Sequence, residues 1–326
     1  MQCGITLPDT QIIWRSYGEL NRDKSNVIVY PTSYGAKHTD TEWLIGPGQA
    51  LDPTRWFIII PNMFCNGLST SPSTHAQAPY DGNRFPVFTA YDNVTQQRRL
   101  LHDVFGINQV ALVHGWSMGA QQAYHWGALY GDAVARISVC CGSARTGAYN
   151  QVFLRSIEAA LTADAAFRDG WFQETPVKGL QAMGRIYAGW ALSEPFYREE
   201  LWRSLGYASL DDFLIGNWEG NFRSKNANDL LWQLRTWQAG DISANTQFNG
   251  DLTAALQAIS AHTLLMPGET DAYFRIDDNQ HELQHLRRAD LKVIPSIWGH
   301  RAGNPVAQPA DQAFINQALT ELLDKD

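Results

Sequence analysis

Six short apolar runs are spaced along the chain: Asn26–Tyr30, Trp56–Ile60, Gln109–Val113, Arg136–Cys140, His262–Met266 and Leu291–Pro295. Each is about five residues long and lacks the 3.6-residue period of an amphipathic helix, so each reads as a buried strand. Helical or loop stretches separate them, which predicts an α/β protein with a mostly parallel central sheet flanked by helices. Between Thr146 and Ala255 the pattern changes. Apolar positions such as Phe153, Leu154, Ile157, Ala160 and Leu161 follow helical spacing and tryptophan becomes frequent. This predicts a helical insertion over residues 146–255, with the core built from residues 1–145 and 256–326. A last apolar stripe, Phe314, Ile315, Ala318, Leu319, Leu322 and Leu323, predicts a helix packed back on the sheet.

At 326 residues, 44% hydrophobic and 18% charged, the chain buries a large core without disulfides or metal. A net charge of −8 leaves no basic stripe for a phosphate backbone, which argues against nucleic acid as a partner. Cys3, Cys65, Cys140 and Cys141 form neither a CxxC motif nor a disulfide framework, so a reducing compartment is expected. The first ten residues hold no basic leader or apolar core of a signal peptide, and no run is long enough to cross a bilayer. A cytoplasmic protein without membrane contact is the expectation.

The chemistry is concentrated at Gly115-Trp-Ser-Met-Gly119, which follows a strand directly and leads into the helical stretch Ala120–Tyr130. Strand, GxSxG and helix together make a nucleophile elbow, with Ser117 on a tight turn and small residues two positions either side. A serine needs a histidine to take its proton and a carboxylate to orient that histidine. The order serine, acid, histidine points to Asp271, after the strand ending at Met266, and His300, after the strand ending at Pro295. Glu269 is the alternative acid. The oxyanion hole is expected from the N–H of Met118 and an N–H of the loop Tyr30–Gly35; because Pro31 has none, Thr32 is the expected second donor. No metal or other cofactor is required.

A competing motif, HExxH, lies in Gln280-His-Glu-Leu-Gln-His285. Two histidines four apart share a helix face and can bind zinc. Ile276, Leu283 and Leu286 fall on the other side, so the pair reads as a solvated face.

The chain also resembles the homoserine O-acetyltransferase family of α/β-hydrolase-fold enzymes. The likeness begins at Tyr17–Asn21, continues through Pro61–Thr70, and is densest from Phe85–Val94 to Trp116–Gly119. It implies an acyl-enzyme on Ser117, a triad with Asp271 and His300, a helical lid, and a homodimer built on lid helices. Departures limit it. The elbow has Trp116 and Ala120 where the family has glycines, and the family's arginine, tyrosine and acidic contacts to homoserine correspond to Gly184, Ala191 and Arg301. Arg185, one residue along, is the remaining candidate for a carboxylate clamp.

The expected partner is therefore a small-molecule ester or acyl donor. An ester hydrolase not specific for homoserine is the expected activity, with Trp116, Trp190, Arg185 and Arg301 as substrate-binding candidates and Trp171 as a further lid aromatic. The alternatives are an acyl-CoA-dependent O-acyltransferase acting on another alcohol, a ligand-binding pseudoenzyme and, from HExxH, a zinc hydrolase.

Overall fold

The computed structural model describes residues 1–75 and 77–325. Its central sheet has seven strands in the order β1-β3-β2-β4-β5-β8-β9. They are β1 (Trp14–Tyr17), β2 (Val27–Val29), β3 (Phe57–Pro61), β4 (Leu112–Trp116), β5 (Arg136–Cys140), β8 (His262–Met266) and β9 (Ala289–Leu291), while β6 (Phe167–Arg168) and β7 (Trp171–Phe172) form a separate small hairpin. Only β1 runs antiparallel in the large sheet.

Alternation along the strands sorts side chains into two layers. Val27, Val29, Ile59, Val113, Ile137, Val139 and Leu265 share one core with α1 (Ala90–Phe105), α2 (Met118–Tyr130) and α9 (Leu252–Gln257). Ile28, Ile58, Ile60, Leu112, Leu264 and Met266 share the other with α11 (Pro309–Leu323). The start of α1 is fixed by a capping box in which Thr89 and Asp92 exchange hydrogen bonds, and its end by Gly106 at φ 63°.

The strand before Ser117, β4, lies three residues later than the apolar run predicts. It pairs with β5 through Gly115↔Val139 and Trp116↔Cys140, carrying the ladder into residues that do not read as strand. The last strand starts earlier, at Ala289, and its pairing continues as Lys292 N–H to Leu265 C=O and Ile294 N–H to Pro267 C=O. Two elements were not expected from sequence: β1, too short to show a period, and the β6–β7 hairpin, which interrupts a segment expected to be purely helical.

Between β5 and β8 lie α3 (Ala148–Thr162), α4 (Val177–Ala191), α5 (Glu194–Arg198), α6 (Leu210–Phe213), a π-helical turn (Leu214–Glu219), α7 (Gly220–Arg223) and α8 (Ala227–Gln238). They share a third apolar core with Met63, Phe64, Met118, Tyr273 and Phe274 from the loops of the sheet. Polar bonds tie this layer down: Trp232 Nε1 donates to Phe85 C=O at 2.8 Å, Gly35 N–H to Gln233 Oε1 at 2.6 Å, and Ser73 Oγ to Asp229 at 2.6 Å.

The HExxH segment begins in α10 (Ile276–Leu283), and its second histidine, His285, lies in the turn just beyond the helix. The fully buried side chains of α10 are Asn279 and Glu282; Leu283, and Leu286 just beyond the helix, pack half-buried against the core, and His281 is exposed. The two imidazoles meet edge to face at 5.1 Å, and among the described residues they belong to no cluster of three metal-binding side chains. Glu282 accepts from Tyr124 Oη at 2.6 Å, Ala144 N–H at 2.6 Å and Asn279 Nδ2 at 2.7 Å. The glutamate of the motif therefore pins α10 to α2 and to the loop after β5. Burial, opposed by those three bonds, raises its pKa from 4.5 to about 7. A raised folded-state value stabilises the protein fully below the unfolded value, and that contribution is lost as pH rises from about 4.5 to about 7. Denaturant unfolding across this interval is expected to show falling stability with rising pH, by a few kcal/mol at most at about 1.4 kcal/mol per unit; the fall should flatten in Glu282→Gln. An equal slope in both proteins would remove Glu282 as its source.

Candidate active site

Ser117 joins β4 to α2 at φ 58°, ψ −124°, a conformation strained for any residue with a side chain. Close backbone packing imposes it. A Cβ on Gly115 would collide with the carbonyl of Gly119, one on Gly119 would lie 2.7 Å from Pro31 O, and one on Gly142 would meet the Cβ of Ala120. The serine N–H donates to Cys140 C=O at 3.0 Å, anchoring the turn to the neighbouring strand.

His300 sits on the 3₁₀ turn Gly299–Gly303 beyond β9, and Asp271 in the loop after β8. His300 Nδ1 and Asp271 Oδ2 are 2.7 Å apart, and both residues are almost fully buried. The other carboxylate oxygen accepts from the N–H groups of Tyr273 at 2.8 Å and Phe274 at 3.3 Å. Glu269, the alternative acid, is exposed. Thr270 holds the two loops together, donating to Ser296 C=O at 2.8 Å and accepting from Gly299 N–H at 3.1 Å. Gly299, at φ 58°, leaves no room for a side chain, because a Cβ would lie 2.7 Å from Ala191 O at the end of α4.

Ser117 and His300 line one cavity of about 340 Å³. Its walls include Trp116, Tyr187, Ala191, Trp218, Phe222, Trp237 and Tyr273, and its polar lining includes Asp40, Asn217, Lys225 and Arg301. Trp116 stacks on the His300 ring at 5.0 Å and 28°, and its Nε1 donates to His300 C=O at 3.2 Å. Tyr273 packs on the imidazole at 4.5 Å. Cys141 lies close by, its sulfur within 4.8 Å of donor atoms of Asp271 and His300; the bond to Cys140 first, then burial, pushes its thiol pKa up. These three buried groups are the one cluster among the described residues with metal-binding spacing, yet the imidazole and carboxylate are already bonded to each other.

Several expected residues lie elsewhere. The Thr32 N–H is donated to Pro61 C=O at 3.3 Å and its hydroxyl accepts from Met63 N–H, because the parallel ladder continues past β2. Thr32 is thus not the second oxyanion donor. The cavity is lined instead by Ser33, whose hydroxyl bonds Trp116 C=O and accepts from Gly119 N–H. Arg185 pairs with the buried Glu219 at 2.6 Å, away from the cavity. Trp190 packs on Tyr149 and Phe153, and Trp171 on Trp232. The lid tryptophans at the cavity are Trp218 and Trp237. Trp218 comes from the π-helical turn, which follows no helical period, and Gly184 admits the backbone of that turn at 3.0 Å. Tyr273 stands two residues after Asp271, and that proximity was the one sequence signal for it.

A family model described as alpha/beta hydrolase fold matches residues 39–302. The chain belongs to the α/β-hydrolase family. Within this family it is 35% identical over 324 residues to an ethyl acetate hydrolase of Pseudomonas veronii, covering 98% of this chain and 91% of that one. An acetylester hydrolase structure from Corynebacterium glutamicum superposes with a TM-score of 0.92 at 34% identity, over 96% of this chain and 90% of that one. A homoserine O-acetyltransferase of Clavibacter michiganensis is 28% identical over 361 residues, covering 99% and 90%. This α/β-hydrolase is an enzyme, and a divergent relative of the homoserine acetyltransferases.

Trp116 has room because residue 303 is glycine. A Cβ there would run into the indole and lie 2.7 Å from Cys141 Sγ. Gly303→Ala is expected to cost about 1–3 kcal/mol by overpacking, and less in a Trp116→Ala background. Unfolding of the two single variants and the double variant measures the coupling; strictly additive losses would show that the two residues do not compete for space.

Proposed function

We propose that this enzyme is a carboxylic-ester hydrolase acting on small acetate-type esters through an acyl-Ser117 intermediate. The observation that carries the reading is the buried Asp271–His300 pair opening onto the same cavity as a strained elbow serine. Hydrolysis rather than transfer to homoserine fits the residues at the family's amino-acid contacts: Ala191 and Arg301 line the cavity, and Gly184 serves packing. The acetyl-ester hydrolases among its relatives support the same choice.

In the first half-reaction His300 Nε2 takes the Ser117 Oγ proton as Oγ bonds to the ester carbonyl carbon. The resulting oxyanion is held by the N–H groups of Met118 and, in this reading, Ser33. The C–O bond to the alcohol then breaks, and the leaving oxygen takes the proton from His300. Water enters, gives a proton to His300 and attacks the acyl carbon. Collapse returns the proton to Ser117 Oγ and releases the carboxylic acid. Asp271 stays ionised throughout, holding the imidazole and offsetting its transient charge. Trp116, stacked on the other side, limits the ring's freedom to turn.

The helices from 146 to 255 act in this reading as a lid on a core of residues 1–145 and 256–326. The four free cysteines fit a reducing compartment such as the cytoplasm. No helix among the described residues is long and apolar enough to cross a membrane.

Ser117→Ala is expected to lower the hydrolysis of short acetate esters by about 10⁴-fold or more. Intact-mass measurement should find an acyl adduct on the wild type and none on the variant. With acetyl-CoA and L-homoserine, transfer should stay far below ester hydrolysis. Efficient O-acetylation of homoserine would overturn the hydrolase assignment, and full activity in Ser117→Ala would overturn the serine mechanism.

A further inference from the structure

We propose that Arg301 and the Tyr273 hydroxyl form a carboxylate-binding subsite of the catalytic cavity, so that the preferred ester carries a carboxylate on its acyl or its alcohol portion. The inference rests on the ester-hydrolase reading above and adds a substrate class to it.

Several cavity-lining donors have no partner among the described residues, including the Tyr187 hydroxyl and the Trp218 and Trp237 indole N–H groups, and two such groups, Arg301 and Tyr273, adjoin His300. Among the described residues the Arg301 guanidinium takes part in no hydrogen bond or ion pair, although it offers five N–H donors in a planar fork suited to a carboxylate. Tyr273 is 2% exposed, its ring lies against His300, and its hydroxyl has no partner. A buried hydroxyl left without a partner is destabilising, and a ligand oxygen would satisfy it. The two groups are within electrostatic reach of each other, and Asp40 and Tyr207 also act on the arginine. Burial, the largest effect, lowers the guanidinium's pKa and raises that of the Tyr273 hydroxyl well above 10. The first group is thus a poorly solvated cation, and the second remains a proton donor.

Cavity charge points the same way. The charged lining groups are Lys225 and Arg301 against Asp40, two cations to one anion, while Asp271 faces His300 and does not line the cavity. Lys225 is already occupied, donating to Gly35 C=O at 2.7 Å, and Asp40 accepts from Lys37 N–H at 2.8 Å. Arg301 is the cation left over. It also lines an adjoining cavity of about 220 Å³ with Asn217 and Trp298. It therefore stands between the catalytic cavity and a second space, one residue along the chain from His300, in position to hold a substituent of a substrate bound at Ser117.

The test compares charged esters with neutral esters of the same shape. Monoethyl succinate against ethyl 4-methylpentanoate places the carboxylate on the acyl side; acetoxyacetate against isobutyl acetate places it on the alcohol side. Each kcat/KM is divided by the rate of alkaline hydrolysis to remove intrinsic reactivity. In at least one pair the wild type should favour the anion by about 10-fold or more, mainly through KM, as expected for a charge-assisted contact. That ratio should collapse toward unity in Arg301→Gln, fall less in Tyr273→Phe, and survive in part in Arg301→Lys. The ratio is read whatever the absolute rate of each variant. A wild type that favours the neutral ester in both pairs, or a ratio unchanged in Arg301→Gln, overturns the subsite while leaving the hydrolase reading in place. Failure to hydrolyse any of the four esters overturns both.

Discussion

The strained backbone of Ser117 is the constraint on which the rest of the site depends. At φ 58° the residue cannot relax, because Gly115, Gly119 and Gly142 let neighbouring backbone approach from three directions. The strain is held by the middle of the sheet, where β4 is hydrogen-bonded between β2 and β5. In return the hydroxyl is lifted clear of strand and helix at their junction, and α2 starts immediately beyond with its first N–H groups beside the place where negative charge develops in acyl transfer.

Around that fixed point the Asp271 and His300 loops are positioned by each other and by the helices of residues 146–255. Thr270 links the acid loop to the histidine loop, Gly299 lets the end of α4 press against the residue before His300, and Trp116 and Tyr273 confine the imidazole. These helices do more than wall the cavity. Their contact at Ala191 and Leu192 helps to set the height of the His300 loop, so a change in them reaches the imidazole without touching it. The aromatic layer of Tyr34, Phe153, Tyr187, Trp237 and Tyr273 extends this packing from the lid core to the imidazole.

Kinship with homoserine acetyltransferases and with ester hydrolases has a simple physical basis, since both reactions begin with the same acylated serine and differ in the acceptor admitted next. The elbow and the acid–base pair serve either course. The cavity wall carries the half-buried Arg301 beside His300, and Trp116 fills space next to Ser117.

What the sequence determined by itself were the features governed by short-range rules. Apolar runs gave the parallel strands, GxSxG between strand and helix gave the elbow, and the order of Asp271 and His300 after successive strands singled them out, because these depend on local periodicity and chain order. Boundaries shifted where pairing with a neighbour decided them: β4 runs on through Gly115 and Trp116 because β5 lies beside it, and Thr32 lost its donor to the continuing β2–β3 ladder. Only the tertiary structure could choose among the tryptophans, send Arg185 to Glu219 and leave Arg301 without a partner. It alone buried Glu282 beneath α10, beside leucines that pack half-buried on the core as their spacing predicts. Each of these outcomes turns on which groups distant in sequence come to lie within a few ångströms, and no pattern along a single chain carries that distance.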